Sequence, residues 1–192
     1  MRSLQVITPA TIEILTTAEV KLHLKVDTTA DDTLILNLIK AATQSAEIFT
    51  NRFFIDTEVY MNCDQWHEIS PLYKSPVLEM VNIKYYDSAS DAHTLLNGTN
   101  YILDNSAKPA RLTKSVTGEF PGLSERKPAI NIRYKVGFGE TASDVPEGIK
   151  QAVLLTIGNW YENRQEIVIG RIATELPKSA QYLLEQYKVQ TC

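Results

Sequence analysis

The hydrophobic pattern of this chain changes period twice, and that double change constrains its fold more than any single motif. Leu34, Ile35, Leu38, Ile39, Ala42, Ala46 and Phe49 recur at helical spacing. After Ile55 the spacing drops to two, with Thr57, Val59, Met61 and Cys63 alternating against Glu58, Tyr60, Asn62 and Asp64. Helical spacing returns at Ile149, Ala152, Val153, Thr156, Ile157, Trp160 and Tyr161. A helix buries a stripe along one side whereas a strand buries every second residue, so the two periods specify different packing partners. The pattern predicts an α+β protein: residues 1–54 and 140–192 form one helical domain, and residues 55–139 an inserted antiparallel β domain.

Local signals supply the boundaries. Thr16-Thr17-Ala18-Glu19 reads as a capping box, in which the Thr16 hydroxyl and the Glu19 carboxylate each accept from the other residue's backbone N–H. A short helix to Lys25 follows, and Thr28-Thr29-Ala30-Asp31 repeats the device ahead of a second helix that ends at Asn51. Further strands are expected at residues 69–73, 81–86, 101–104, 110–114 and 130–136, separated by turn signals such as Ser75-Pro76, Lys108-Pro109 and Lys127-Pro128. Asn97-Gly98 is read as a hairpin turn rather than a glycosylation site, because Asn-Gly tolerates positive φ. Asp144 is expected to cap the helix that Pro146 and Glu147 open, and a last helix starts near Pro177 and buries Ala180, Leu183, Leu184 and Tyr187.

Composition excludes several functions. With 44% hydrophobic residues in 192, the chain can bury a core without staples, and its two cysteines, Cys63 and Cys192, have no ligand spacing. No signal-like or membrane-length apolar run is present, which points to the cytosol, with exit only by lysis. Net charge is −4, and no segment is basic: residues 1–52 carry 5 basic and 6 acidic side chains, residues 53–139 carry 9 and 10, and residues 140–192 carry 5 and 7. The basic face that tight duplex binding needs is missing from the composition. Asp64-Gln65-Trp66-His67-Glu68 clusters two carboxylates with an imidazole, yet neighbouring residues of a strand face opposite sides and no second histidine stands at ligand spacing. His23 and His93 are equally solitary, no nucleophile elbow occurs, and Gly137-Phe138-Gly139-Glu140 lacks the third glycine of a dinucleotide loop. No catalytic, cofactor-binding or metal-ligating set is expected.

The run Leu15-Thr16-x-Ala18-Glu19-Val20-Lys21-x-His23-Leu24-Lys25-Val26-Asp27 resembles the opening of the head-tail connector, or head-completion adaptor, proteins of tailed phages, prophages and gene transfer particles. Asp31-Asp32 with the helix ending in Thr50-Asn51-Arg52 resembles the family's next helix. Tyr134-x-x-Gly137-Phe138-Gly139, Val145-Pro146, Trp160-Tyr161-Glu162-Asn163-Arg164 and Glu175-Leu176-Pro177 follow in the family's order. The resemblance implies a structural virion protein, without catalysis or cofactor, assembled in the bacterial host cytoplasm. It implies a ring, twelvefold on the portal, that binds the portal protein above and a downstream connector or tail-completion protein below. DNA passes through such a lumen without sequence-specific binding, and a mildly acidic wall would not hold its phosphates. The alternative is a monomeric β-rich tail or surface-recognition module, with its function on the loops between strands.

One segment stands out as a contact between copies. Ile167-Val168-Ile169 places three β-branched apolar residues in a connection between helices, where polar residues are the rule, so something must cover it, either the chain's own core or a neighbouring copy. Glu162, Arg164 and Arg171 flank it and could set register between identical subunits. Trp160 and Tyr161, in step with Val153 and Ile157, are read as core.

Overall fold

The computed structural model describes residues 2–89, 91–163 and 176–189. The chain divides into two compact units: Met1–Ala10, Asp56–Gly137 and Val189–Cys192 form one, and Thr11–Ile55 with Phe138–Lys188 form the other.

The described helices of the second unit are α1 (Thr17–Leu24), α2 (Asp32–Thr50), α3 (Glu147–Glu162) and α4 (Lys178–Glu185). Their apolar stripes meet in one core that includes Val20, Ile35, Ile39, Ala42, Ile149, Val153, Ile157, Ala180 and Leu184. α1 starts on the capping box expected of Thr16 and Glu19, with Glu19 N–H donating to the Thr16 hydroxyl at 3.2 Å and Thr16 N–H to the Glu19 carboxylate at 2.7 Å. Both α1 and α2 end in the same way. Lys25 (φ 57°) and Asn51 (φ 55°) turn left-handed, and the next amides reach back to the helix, Val26 to the Lys21 carbonyl at 3.0 Å and Arg52 to that of Glu47 at 3.1 Å. These bonds satisfy carbonyls that a helix end otherwise leaves open.

Two expected caps are replaced. α2 begins at Asp32 with no side-chain cap, and the carboxylate of Asp31 instead accepts from the Tyr161 hydroxyl at 2.5 Å, so a tertiary partner takes the group that the Thr28–Asp31 device required. Asp144 does not cap α3. Its carboxylate accepts from the backbone N–H of Thr141 at 2.9 Å and from its hydroxyl at 2.7 Å, closing a 3-10 turn over Ala142–Asp144 one step earlier. Gly139 is required there, because a Cβ at that position would come within 2.4 Å of the Asp144 carboxylate. Gly137, at φ 143°, occupies a conformation that side chains disfavour.

The first unit contains a five-stranded antiparallel sheet in the order β1-β2-β7-β3-β4 and a separate hairpin, β5-β6. The strands are β1 (Ser3–Thr8), β2 (Thr57–Cys63), β3 (Val77–Tyr86), β4 (His93–Leu95), β5 (Tyr101–Asp104), β6 (Arg111–Lys114) and β7 (Ile130–Val136). The alternation seen in the sequence is the alternation of burial: Thr57, Val59, Met61 and Cys63 are buried, as are Ile130, Ile132, Tyr134 and Val136 on the partner strand. The other face of the β2–β7 pair is polar. Arg133 grips the Glu58 carboxylate with two hydrogen bonds, at 2.5 and 2.9 Å, and Lys135 lies 3.3 Å from Asp56.

Several sequence-based boundaries shift. Residues 1–54 were expected among the helices, yet Ser3–Thr8 pairs with β2, so the first ten residues group with the sheet. Residues 69–73 form no strand. Ile69 and Leu72 are buried as loop anchors, and Leu72 donates to the Ala110 carbonyl at 2.9 Å. Asn97 makes no positive-φ hairpin turn; at φ −65° its side chain accepts from Thr99 N–H at 3.0 Å and caps a 3-10 turn over Gly98–Asn100.

Arg52 is a buried cation at the end of α2. It is 5% exposed, its Nε donates to the Tyr187 carbonyl at 2.5 Å, and its guanidinium sits 5.8 Å from the centre of the Phe138 ring. Burial lowers its pKa from the ordinary arginine value. Replacing it by Met keeps the apolar stem and removes the donor, so urea unfolding of Arg52→Met should show a loss of about 1–3 kcal/mol, the penalty for an acceptor left unsatisfied.

Hydrogen bonds hold several carboxyls below their ordinary range, among them Glu19 through Thr16, Glu58 through Arg133 and Asp144 through Thr141. Each binds protons more weakly folded than unfolded. The stability they add is therefore present above the unfolded carboxylate range of about pH 4 and is lost as pH falls through the folded values. Melting temperatures followed from about pH 7 to pH 3 should fall, and the fall should be shallower in Glu58→Gln, which has no carboxyl to titrate there.

Candidate functional site

Of the six residues singled out as subunit contacts, Glu162 lies among the described residues, and Arg164, Ile167, Val168, Ile169 and Arg171 lie outside them. Glu162 is the last residue of α3 and is exposed. The helix stops one residue later, where Asn163 turns its side-chain amide back to the Asn159 carbonyl at 3.0 Å. Trp160 belongs to the core at 6% exposure, and among the described residues its indole N–H has no acceptor. Tyr161 is half-buried and tied to Asp31, as described above. The aromatic pair thus fixes the end of α3 to the body of its unit and leaves Glu162 facing solvent.

The acidic and imidazole cluster of residues 64–68 is a packing device. Trp66 stacks on Phe120, with ring centres 4.5 Å apart, meets Tyr85 at 5.7 Å, and donates its indole N–H to the Pro121 carbonyl at 2.7 Å. Glu68 turns inward to accept from Asp64 N–H at 2.8 Å, while His67 is exposed. The other histidines are held by unrelated neighbours: His23 packs beside Gly158 of α3, and His93 stacks on Tyr86 with ring centres 4.6 Å apart. Among the described residues no three His, Cys, Asp or Glu side chains gather as a metal-binding group. No described helix is long and apolar enough to cross a membrane.

What the described surface does offer is apolar contact. Leu22 on α1 is 82% exposed, Ile48 on α2 is 71% exposed and Tyr182 on α4 is 84% exposed. Leu22 borders an open depression of about 550 Å³ lined also by Ala18, Lys21, Lys25, Val26 and Asp27. These residues lie in the same opening segment that carried the family resemblance, and the sequence analysis did not single them out as a surface. A signal was present, since Val20 and Leu24 lie four apart on the packed side of α1 while Leu22, two residues from each, must point elsewhere.

Comparisons with known proteins give the chain a family and a fold. A family model described as "Phage gp6-like head-tail connector protein" matches residues 15–109 and 125–188. Among solved structures, one described as "Neck of empty GTA particle computed with C6 symmetry" is similar with a TM-score of 0.76 at 22% identity, over 99% of this chain and 97% of that one. "Virion of native gene transfer agent (GTA) particle" is similar at 0.76 and 21% identity, over 98% and 96%. "Neck of native GTA particle computed with C12 symmetry" is similar at 0.71 and 21% identity, over 99% and 97%. No curated protein matches the chain by sequence.

Cys63 offers no reactive centre. It is fully buried, and burial pushes its thiol up to about 12. Thiolate is the nucleophilic form, so native protein treated with iodoacetamide at about pH 8 should stay unmodified at Cys63, and urea-unfolded protein should be alkylated there, as read by peptide mass spectrometry.

Proposed function

The chain belongs to the phage gp6-like head-tail connector family, and on that footing we propose that its copies close into a ring beneath the portal protein of a DNA-filled head. The single observation that carries the reading is the extent of the family match, residues 15–109 and 125–188, which takes in helices of one unit and strands of the other. The ring meets a downstream connector or tail-completion protein on its other side, is twelvefold on the portal, and resides in the virion after assembly in the host cytoplasm. DNA slides through without sequence-specific contacts. The net charge of −4 supports this passage, because a wall rich in Lys and Arg would gather phosphates and retain them. The role is structural and needs no catalytic step.

The contact between copies involves Glu162, Arg164, Ile167, Val168, Ile169 and Arg171, an apolar centre with charges around it. A ring needs a heterologous contact, one patch against a different patch on the next copy, and this composition fits such a patch. Imaging of the protein bound to its portal tests the ring: a closed collar of copies supports it, and single copies scattered on the portal, or none, reject it. Val168→Asp should melt as the unaltered protein does while its incorporation into particles falls at least tenfold, since a carboxylate would be buried between subunits. Melting curves beside particle-bound yield check this; normal yield would remove the segment from the contact.

A further inference from the structure

Among the described residues, the five-stranded sheet leaves two lengths of strand edge unpaired. β1 is a terminal strand with β2 as its neighbour, and residues Ser3–Thr8 carry neither a charge nor a proline, two devices that commonly keep an edge from pairing. On the opposite side, β4 covers only Lys84–Tyr86 of the longer strand β3. The beginning of β3 is closed by a side chain: Asn105 accepts from Val77 N–H at 3.3 Å and donates to the Val77 carbonyl at 2.6 Å, as a paired strand would. The far end is closed by Leu96 N–H, which donates to the Ile83 carbonyl at 2.8 Å. Between these closures, residues 78–82 have β7 on one side and, among the described residues, no strand on the other.

The open lane exposes apolar side chains beside Glu79 and Asn82. Two irregularities in the pairing with β7 skip Leu78 and Val81, which are 42% and 37% exposed. On β1, Val6 and Ile7 are 48% and 36% exposed. We propose that β1 of one copy enters the open lane beside β3 of the next, so that the sheets of neighbouring copies run on into one another; this rests on the ring reading above.

Strand direction supports a second copy of this chain as the occupant. Each step from β1 to β2, β7 and β3 is antiparallel, so β1 and β3 point in opposite senses. In a ring of many copies, adjacent copies differ by a small rotation, which keeps corresponding strands pointing nearly alike. The incoming β1 therefore lies antiparallel to β3, as every other neighbour in this sheet does. It also runs in the direction of β4, whose pairing proceeds from Tyr86 toward Lys84, and continues the lane that β4 leaves at Leu95. The lengths agree, six residues of β1 against the five of 78–82. Pairing of β1 with β1 would be two-fold and would end at a dimer, which cannot build a ring.

Cysteine scanning in assembled particles tests the pairing. In a Cys192→Ser background, Gln5→Cys is combined in turn with Glu79→Cys, Met80→Cys, Val81→Cys and Asn82→Cys, and particles are oxidised and run on non-reducing gels. At least one pair should give a ladder of oligomers rising to the full ring, absent from either single variant. Incorporation of all four pairs with no ladder overturns the pairing and leaves the ring standing. Dimers from Gln5→Cys alone, without a ladder, also overturn it by pointing to the two-fold arrangement. Imaging of the unaltered protein on its portal is the second measurement: strand density continuous from β1 to β3 of the next copy supports the inference, and both edges facing solvent overturn it whatever the cysteines show. Absence of a ring in those images overturns both readings together.

Discussion

The helical unit depends on one junction, where the end of α2 is fastened to chain that arrives only after the whole β unit has been traversed. Phe138 N–H donates to the Phe54 carbonyl at 3.0 Å, and Ile55 bridges Gly139 in parallel. The Phe54 and Phe138 rings lie 6.4 Å apart, and Phe54 N–H is taken by the Glu47 carboxylate at 2.9 Å. Arg52 sits in the middle of this set. Burying a guanidinium is costly unless its donors are matched, and the Tyr187 carbonyl and the Phe138 ring provide matches that only the folded chain brings together. A cation two residues beyond the end of α2 is also favoured by the carbonyl end of the helix dipole. The same arginine thus joins α2, the returning chain and the segment after α4.

The sheet solves a different problem, that of covering one face while leaving the other to solvent. Its inner residues on β2 and β7 are apolar or nearly so, and the outer face is a ladder of polar pairs: Glu58 with Arg133, Asp56 with Lys135, and Asn62 with Asn131. Asn62 directly opposes Asn131 and the two ion pairs run diagonally across the strands, within reach of long side chains, so such pairs stabilise the register, and a slip of one residue would invert both faces. Tyr134 is the largest buried exception to the apolar rule, and its hydroxyl is answered by the Tyr73 carbonyl at 2.8 Å.

Elements with a clear buried face or a local cap were readable in the sequence. The stripe of α2, the alternation of β2 and β7 and the box of Thr16 and Glu19 are each visible within a few residues. β1 was not, because as an exposed edge strand its residues show little alternation. Residues 69–73 were apolar for a reason that periodicity cannot distinguish, the anchoring of a loop by Ile69 and Leu72. Asp31 and Asp144 carried correct capping chemistry whose partners, Tyr161 and Thr141, were decided by tertiary contact and by a turn one step upstream. The exposure of Leu22 had only the indirect signal of its spacing from Val20 and Leu24, and the open length of β3 emerges only when its neighbours are in place.

The division of the chain between its units has a consequence for its synthesis. The polypeptide passes from one unit to the other after Ala10, after Ile55, after Gly137 and after Lys188. As the ribosome releases it, β1 emerges with no partner until β2 follows, and the centre of the sheet stays open until β7 appears at residue 130. The helical unit waits longer still, because Tyr187 must arrive before Arg52 has its acceptor. All the strands have emerged by residue 136 while the helical unit still lacks α3 and α4, so contacts distant along the chain set the pace of folding, and an incomplete chain exposes apolar stripes. A copy cut short before Tyr187 would lack the acceptor that Arg52 needs.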